Sequence, residues 1–232
     1  MERDPDVEQR IAFFGGSFDP PHFGHLAIAR AARDALCLNK VLFVPVGFQP
    51  LKPAGSTAPF ADRVEMTRLA IAGEPAFELS LADAPDRQGR PNYTLDSLRK
   101  LRQEVGPGAA LFCLMGADSF ASLQRWHGAA EMPFAATLIV ASRPGLHLND
   151  LPGMLGNGLS LEVAQPPAAC PGHGVDIRSF FVRDPSGRTA PLYLLPGLDV
   201  EISASAIRAQ SGSAEFVSPA VREYIRTTGL YR

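Results

Sequence analysis

The chain has 232 residues, 46% of them hydrophobic, with 22 Lys and Arg against 24 Asp and Glu for a net charge of -2. That length suits one α/β domain with a small appended part, and the apolar share is enough for a sizeable core. The near-neutral balance gives no general attraction for nucleic acid or an anionic membrane, and no apolar run reaches the ~18 residues of a membrane span.

Residues 1–10 are charged and lack an apolar segment, so they read as a disordered tail rather than a signal peptide or anchor. Beyond them, apolar runs alternate with helical patterns. Strands are expected at Ile11–Phe14, Val41–Val44, Phe77–Ser80, Ala110–Met115 and Thr137–Ala141. Helices are expected at Gly24–Leu36, Ala61–Ala72, Thr94–Val105 and Ser119–Leu123. This alternation predicts an α/β, doubly wound, Rossmann-like fold. Its parallel sheet is covered on both faces, with ligands at the carboxyl ends of the strands. From 145 to about 175 the chain is rich in Gly and Pro and reads as loop, with His147 and His173 solvated. Ile177–Val182 and Leu192–Leu195 are expected to pair as a hairpin across Asp184-Pro185-Ser186-Gly187, so that 145–200 is irregular loop and hairpin. Val217, Val221, Tyr224 and Ile225 fall on one helical face, and 203–232 reads as a small C-terminal helical subdomain of the domain 11–232.

Cys37, Cys113 and Cys170 are odd in number and far apart, with no Cys-x-x-Cys pair. They suggest neither a zinc ribbon nor a disulfide scaffold and fit a reducing cytoplasm. Cys113 lies inside an apolar run and reads as core.

The stretch Gly15-Gly16-Ser17-Phe18-Asp19-Pro20-Pro21-His22-Phe23-Gly24-His25 joins the first strand to the first helix. Glycines let backbone N–H groups approach an anion, and a helix start adds positive partial charge. His22 and His25 can therefore surround a phosphate. They can instead cap the helix, or form a metal site with Asp19, although His-x-x-His is not the i, i+4 pair of helical zinc sites. Phosphate binding is the preferred reading. Ser17 offers a hydroxyl to the phosphate, and Phe18 packs. Near the other end, Ile202-Ser203-Ala204-Ser205-Ala206-Ile207-Arg208 opens a helix with Ser203 as N-cap and Arg208 as a fixed cation. Lys52, after the second strand, is equally a phosphate contact or a solvated lysine. Thr94 is expected as an N-cap, leaving N–H groups near Thr94 and Leu95 ready for an anion, while Leu95, Leu98, Leu101 and Val105 form the buried stripe. Trp126 is equally a stacking platform or a core residue.

These motifs resemble those of the bacterial nicotinate-nucleotide adenylyltransferases, a family of the nucleotidyltransferase superfamily with a His-x-Gly-His signature. Tyr93-Thr94-Leu95-Asp96-Ser97-Leu98, Gly116-Ala117-Asp118-Ser119, Trp126-His127 and Arg143-Pro144-Gly145 lie between the two end motifs in the family's order, and the resemblance covers 11–232. It implies transfer of AMP from ATP to nicotinate mononucleotide, giving deamido-NAD and pyrophosphate in NAD biosynthesis. Mg²⁺ would come with the ATP, and no protein metal site is implied. Catalysis would fall to His22, His25, Lys52 and Arg208. ATP would meet Gly15, Gly16, Ser17, Phe18, Asp118, Arg143, Ile202, Ser203 and Ser205. The mononucleotide would meet Thr94, Leu95, Trp126 and His127. The chain departs from the family at Gly47, where Asn is usual, at Leu51, where His is usual, and at Ala204 and Ser205, which replace Ser and Thr. Alternatives within the class are nicotinamide mononucleotide, pantetheine phosphate or a cytidylyl acceptor. Outside it stand a non-catalytic nucleotide sensor and a fragment related to class I aminoacyl-tRNA synthetases. Small-molecule partners are expected, with no nucleic acid and no membrane, and a homo-oligomer is left open.

Overall fold

The computed structural model describes residues 9–51, 55–142, 151–156, 158–165, 170, 174–196, 204–209 and 215–232. In chain order the first half forms β1 (Arg10–Gly16), α1 (Phe23–Leu36), β2 (Lys40–Pro45), α2 (Phe60–Ile71), β3 (Phe77–Leu79), α3 (Thr94–Val105) and β4 (Ala110–Gly116). It continues with α4 (Ala117–Ala121), two short 3-10 turns, α5 (Met132–Ala135), β5 (Thr137–Ala141), α6 (Leu151–Leu155) and β6 (Ser160–Ala164). The remaining elements are β7 (Arg178–Arg183), β8 (Thr189–Leu195), α7 (Ala204–Ala209) and α8 (Pro219–Thr228).

The eight described strands form one sheet in the order β3-β2-β1-β4-β5-β8-β7-β6. The six from β3 to β8 are parallel, as the apolar runs predict. Alternate residues of each strand feed opposite cores. In β1, Ile11 and Phe13 pack on the side of α3, while Ala12 and Phe14 pack on the side of α1. In β4, Leu111, Cys113 and Met115 join the first group and Phe112 and Leu114 the second. Burial on both faces explains why these strands are continuously apolar rather than alternating. The chain winds from β1 outward to β3, then returns to lay β4 on the other side of β1. The crevice at that reversal, beyond the carboxyl ends of β1 and β4, is where an open α/β sheet places its ligand.

Three expectations change, and one in the same region holds. Arg10 belongs to β1 rather than to the tail, because its N–H donates to Asn39 Oδ1 at 2.7 Å and its guanidinium to the Leu36 carbonyl at 2.8 Å. The segment read as loop contains α6 and β6. Leu151 and Leu155, one helical turn apart, are fully buried in the core beneath α4 despite the intervening Pro-Gly. The predicted hairpin forms, with an Asx turn in which Asp184 Oδ1 accepts from the Ser186 and Arg188 N–H groups at 2.9 Å each. With β6 paired antiparallel to β7, the hairpin gives the parallel sheet an antiparallel edge. Finally, Cys37 and Cys170 are disulfide-bonded across 133 residues, with Cα atoms 5.6 Å apart. No local Cys spacing announces such a pair. Cys37 is the C-terminal cap of α1, whose 14 residues place it about 20 Å from the other end of that helix.

α8 is a well-defined helix. The Ser218 Oγ accepts from the Val221 N–H at 3.3 Å, proline occupies the first turn, and Gly229 closes the end at φ 71°. Its Val221 and Ile225 pack with Met66 and Ala70 of α2 and Ile207 of α7, which forms a third apolar cluster.

Candidate active site

A cleft of about 850 Å³ opens at the strand reversal, a size suited to a small-molecule ligand. One end is built on the loop from β1 to α1. His22 is the N-cap of α1 and His25 its third helical residue. The His22 N–H donates to His25 Nδ1 at 3.2 Å. Because Nδ1 accepts, a neutral His25 must carry its proton on Nε2, leaving a ring N–H donor for a ligand. The two imidazoles stack at 3.8 Å with planes 30° apart, and the Phe18 ring meets His25 edge-on at 5.0 Å. Capping and ligand donation are thus not rivals: the capping bond sets the tautomer.

Phe18 sits at φ 47° with its side chain buried among Phe14, Phe43 and His25. A left-handed φ is costly for a side chain of this size, so packing holds it there. Arg63 supports the same loop from beneath. It is 2% exposed and donates to the carbonyls of Ser17 at 2.7 Å, Val46 at 2.8 Å and Ala58 at 3.2 Å. Burial lowers its pKa, and the nearby Asp19 charge opposes that shift. Asp19 is 3% exposed and acts as a hub. Its carboxylate accepts from Thr57 N–H at 2.6 Å, Ala58 N–H at 3.0 Å and the Tyr231 hydroxyl at 2.7 Å. Arg208 donates to the Asp19 carbonyl at 2.6 Å and to Ser205 Oγ at 3.1 Å. The two end motifs, 189 residues apart, therefore meet at one point.

The loop after β2 explains one departure from the resemblance. A Cβ on Gly47 would lie 2.5 Å from the backbone nitrogen of Pro85, and the Gly47 N–H donates to the Asp83 carbonyl at 2.7 Å. No side chain fits there. Phe48 and Asn92 extend this seam, with the Phe48 N–H donating to Asn92 Oδ1 at 2.8 Å. Asp83 is buried beside it and accepts from the Ser97 hydroxyl. Burial pushes the Asp83 carboxyl above its usual range, and the Ser97 hydrogen bond offsets this only in part. Burial, with the Asp83 charge adding, also pushes the Cys113 thiol up to about 12, so it stays a thiol in the core as expected.

The other end of the cleft is built on α3. Tyr93, not Thr94, is the N-cap, and Thr94 is the first helical residue. The Tyr93 carbonyl takes the N–H groups of Asp96 at 3.0 Å and Ser97 at 3.2 Å, which starts the helix one residue earlier than a hydroxyl cap would. The N–H groups of Thr94 and Leu95 find no partner among the described residues. The Leu95 side chain faces away from the cleft, into the core. Gly128, at φ 64°, is pressed onto it, since a Cβ there would lie 2.2 Å from Leu95 Cδ2. That contact seats His127 against the start of α3, where its ring packs on Tyr93 at 4.4 Å. Trp126 is half-buried, lines the cleft and donates its indole N–H to Ser122 Oγ at 3.1 Å. It also touches the core, so one side chain both packs inward and borders the cleft.

Gly15, Gly16, Ser17, His22 and His25 line the first end of the cleft together with Phe18. Thr94, Trp126 and His127 line the other, with Asp118, Ser205 and Arg208 along its wall. Lys52, Arg143, Ile202 and Ser203 lie outside the described residues, as do His147 and His173. Sequence reasoning missed Arg63, Tyr231 and the structural role of Asp19. Arg63 left one signal, a charge at helical spacing with the buried Met66 and Ala70. Among the described residues no three His, Cys, Asp or Glu side chains are grouped so as to hold a metal ion.

A strand-reversal cleft with stacked histidines at a helix start defines the class. Residues 13–210 match the family model described as cytidylyltransferase-like, and the chain belongs to that family. Within it the chain belongs to the nicotinate-nucleotide adenylyltransferases. It is 41% identical over 227 residues to a protein of Laribacter hongkongensis, covering 96% of this chain and 94% of the relative. It is 37% identical over 230 residues to one of Chromobacterium violaceum, covering 97% and 100%. Both relatives are named probable nicotinate-nucleotide adenylyltransferases. The fold is also that of Plasmodium falciparum nicotinic acid mononucleotide adenylyltransferase complexed with NaAD. The two superpose with a TM-score of 0.67 at 16% identity over 97% of this chain and 98% of that one.

Proposed function

We propose that this protein transfers AMP from ATP to nicotinate mononucleotide, giving deamido-NAD and pyrophosphate in NAD biosynthesis. The observation that carries the substrate choice is the second end of the cleft. It offers the open N–H groups of Thr94 and Leu95 at a helix start, beside the half-buried Trp126. A pyridine ring stacks on the indole, and its carboxylate takes the amides, with the His127 N–H adding a third donor. The phosphate loop then receives the triphosphate.

In the reaction a phosphate oxygen of the mononucleotide attacks the α-phosphorus of ATP in line. The bond from that phosphorus to the bridging β-phosphate oxygen breaks, and pyrophosphate leaves with the electron pair. The nucleophile is already ionised near pH 7, so no general base is needed, and catalysis rests on positioning and charge stabilisation. His25 supplies its Nε2–H and His22 its ring to the growing charge. Arg208 and Lys52 add cations, and Asp118, Arg143, Ile202, Ser203 and Ser205 hold the adenosine and phosphates. Mg²⁺ enters on the triphosphate as part of the nucleotide substrate, held by phosphate oxygens and water. A cytoplasmic location remains part of this proposal: the Cys37–Cys170 pair lies at the far end of α1 from the cleft, so the site does not require it oxidised.

Competition between nicotinate and nicotinamide mononucleotides tests the reading. A pocket of donors satisfies both oxygens of a carboxylate but leaves an amide NH₂ facing donors. An unpaired polar group costs ~1–3 kcal/mol and a charge-assisted bond is lost as well, so the acid should win by ~100-fold or more in kcat/KM. Equal consumption of the two would sink the proposal.

A further inference from the structure

We propose that Tyr231 is a positioning residue for the transfer reaction, acting through Asp19 to hold Arg208 at the cleft. The inference rests on the proposed role of Arg208 at the phosphates. The route is short. The Tyr231 hydroxyl donates to Asp19 Oδ1 at 2.7 Å. The same residue's carbonyl accepts from Arg208 Nη1 at 2.6 Å, and Arg208 Nη1 lies 3.8 Å from Asp19 Oδ2. Asp19 also lines the cleft beside His22. A rotation of its carboxylate therefore shifts the charge that Arg208 faces, and loss of the Tyr231 contact loosens the residue whose carbonyl Arg208 grips.

Two further observations set Tyr231 apart from an ordinary packed tyrosine. Its backbone sits at φ 62°, in the left-handed region that a side chain avoids. Such a conformation persists where surrounding contacts over-determine it. Its hydroxyl also reaches a carboxylate that is 3% exposed and already holds the Thr57 and Ala58 N–H groups, so three donors converge there. Burial raises the phenol pKa, and the hydrogen bond to Asp19 raises it further. The group thus remains a neutral donor across the working pH range.

The site needs this support because α7 is only six residues long and reaches Asp19 by one side chain. With the phenol hydroxyl gone, the Asp19 carboxylate keeps its two amide bonds but loses the hydrogen bond that the phenol supplied. Substrates still find the cleft; the cation is misplaced for the transition state.

A double-mutant cycle on Tyr231→Phe and Arg208→Ala tests this, with Tyr231→Met as a second variant should phenylalanine perturb folding. Tyr231→Phe is expected to lower kcat by ~10-fold, the scale of a small misplacement of a charge-stabilising group, while KM for both substrates stays within about 2-fold. In the Arg208→Ala background the same change should leave kcat unaltered. Ile225→Val, which loosens α8 without touching Asp19, should lower the melting temperature and spare kcat. Equal kcat losses in both backgrounds would overturn the route through Arg208. An unchanged kcat in Tyr231→Phe would overturn any positioning role. The cycle is read with whichever acceptor the parent enzyme turns over, so a failure of the nicotinate reading leaves this test standing.

Discussion

Replacing Gly128 by alanine should damage both the stability of the fold and the mononucleotide end of the cleft, and the size of the effect follows from two separate costs. The residue sits at φ 64°, where an L side chain is disfavoured by ~1–2 kcal/mol. The added Cβ would also lie 2.2 Å from Leu95 Cδ2, and Leu95 is 2% exposed in the core. Such overpacking costs typically ~1–3 kcal/mol. Together they give a loss of ~2–5 kcal/mol, or roughly 4–20 °C in Tm for a chain of this size. Gly89→Ala isolates the first cost, since Gly89 has φ 69° and nothing within 4 Å of the new atom. Urea unfolding of the two variants therefore reads the packing contribution as a difference of ~1–3 kcal/mol. Because Leu95 is the second residue of α3, its displacement also moves the open amides. KM for the mononucleotide should rise in Gly128→Ala and stay at the parent value in Gly89→Ala. Equal destabilisation by both substitutions would refute the claim that Gly128 is held by contact with α3.

His25→Ala should leave the fold intact and cut turnover by ~100-fold, the scale of one lost charge-stabilising donor; a folded variant with near-normal turnover would reduce His25 to a cap. Trp126→Ala should raise KM for the mononucleotide ~10- to 100-fold, as loss of a stacking platform does, and disturb KM for ATP less; equal shifts would favour a packing role alone. Asp83→Asn should stabilise the protein at pH 7 and not at pH 3. Burial raises the Asp83 pKa in the folded chain, so the native state binds more protons than the unfolded one between the two pKa values. Stability is lost as pH rises through that window, and an uncharged amide removes the loss. Urea midpoints at the two pH values check this, and a gain of the same size at both would contradict it.

The strands and long helices were legible because each rests on local periodicity. β5 and α3 end at the expected residues, and β1, β2 and β4 extend theirs by one to three. What escaped depends on partners distant in the chain. β6 alternates polar and apolar residues over only five positions, Ser160 to Ala164, with Glu162 paired to Arg183 at 2.8 Å, and so short an alternation is hidden in a stretch read as loop for its Gly and Pro. Asp19 stands inside a recognisable motif, yet its partners are backbone amides at 57 and 58 and a phenol 212 residues away, which no motif encodes. The Tyr93 cap defeats the usual preference for a hydroxyl because the carbonyl of Tyr93 alone starts the helix. The empty side of Gly47 becomes meaningful only once the 83–85 segment is seen against it.

The third apolar cluster, shared by α2, α7 and α8, is separate from the two that cover the sheet. It can therefore melt as its own cooperative unit, below the free energy of global unfolding. A molecule in that state keeps the whole parallel sheet, but Arg208 no longer grips Asp19 and the phenol of Tyr231 is released to water. Catalytic competence is thus tied to the docking of α7, α8 and Tyr231 on α2 and the loop that follows β1. Along a denaturant gradient, activity should fade ahead of the spectroscopic signal, and amides of α8 should exchange with solvent faster than those of β1 and β4.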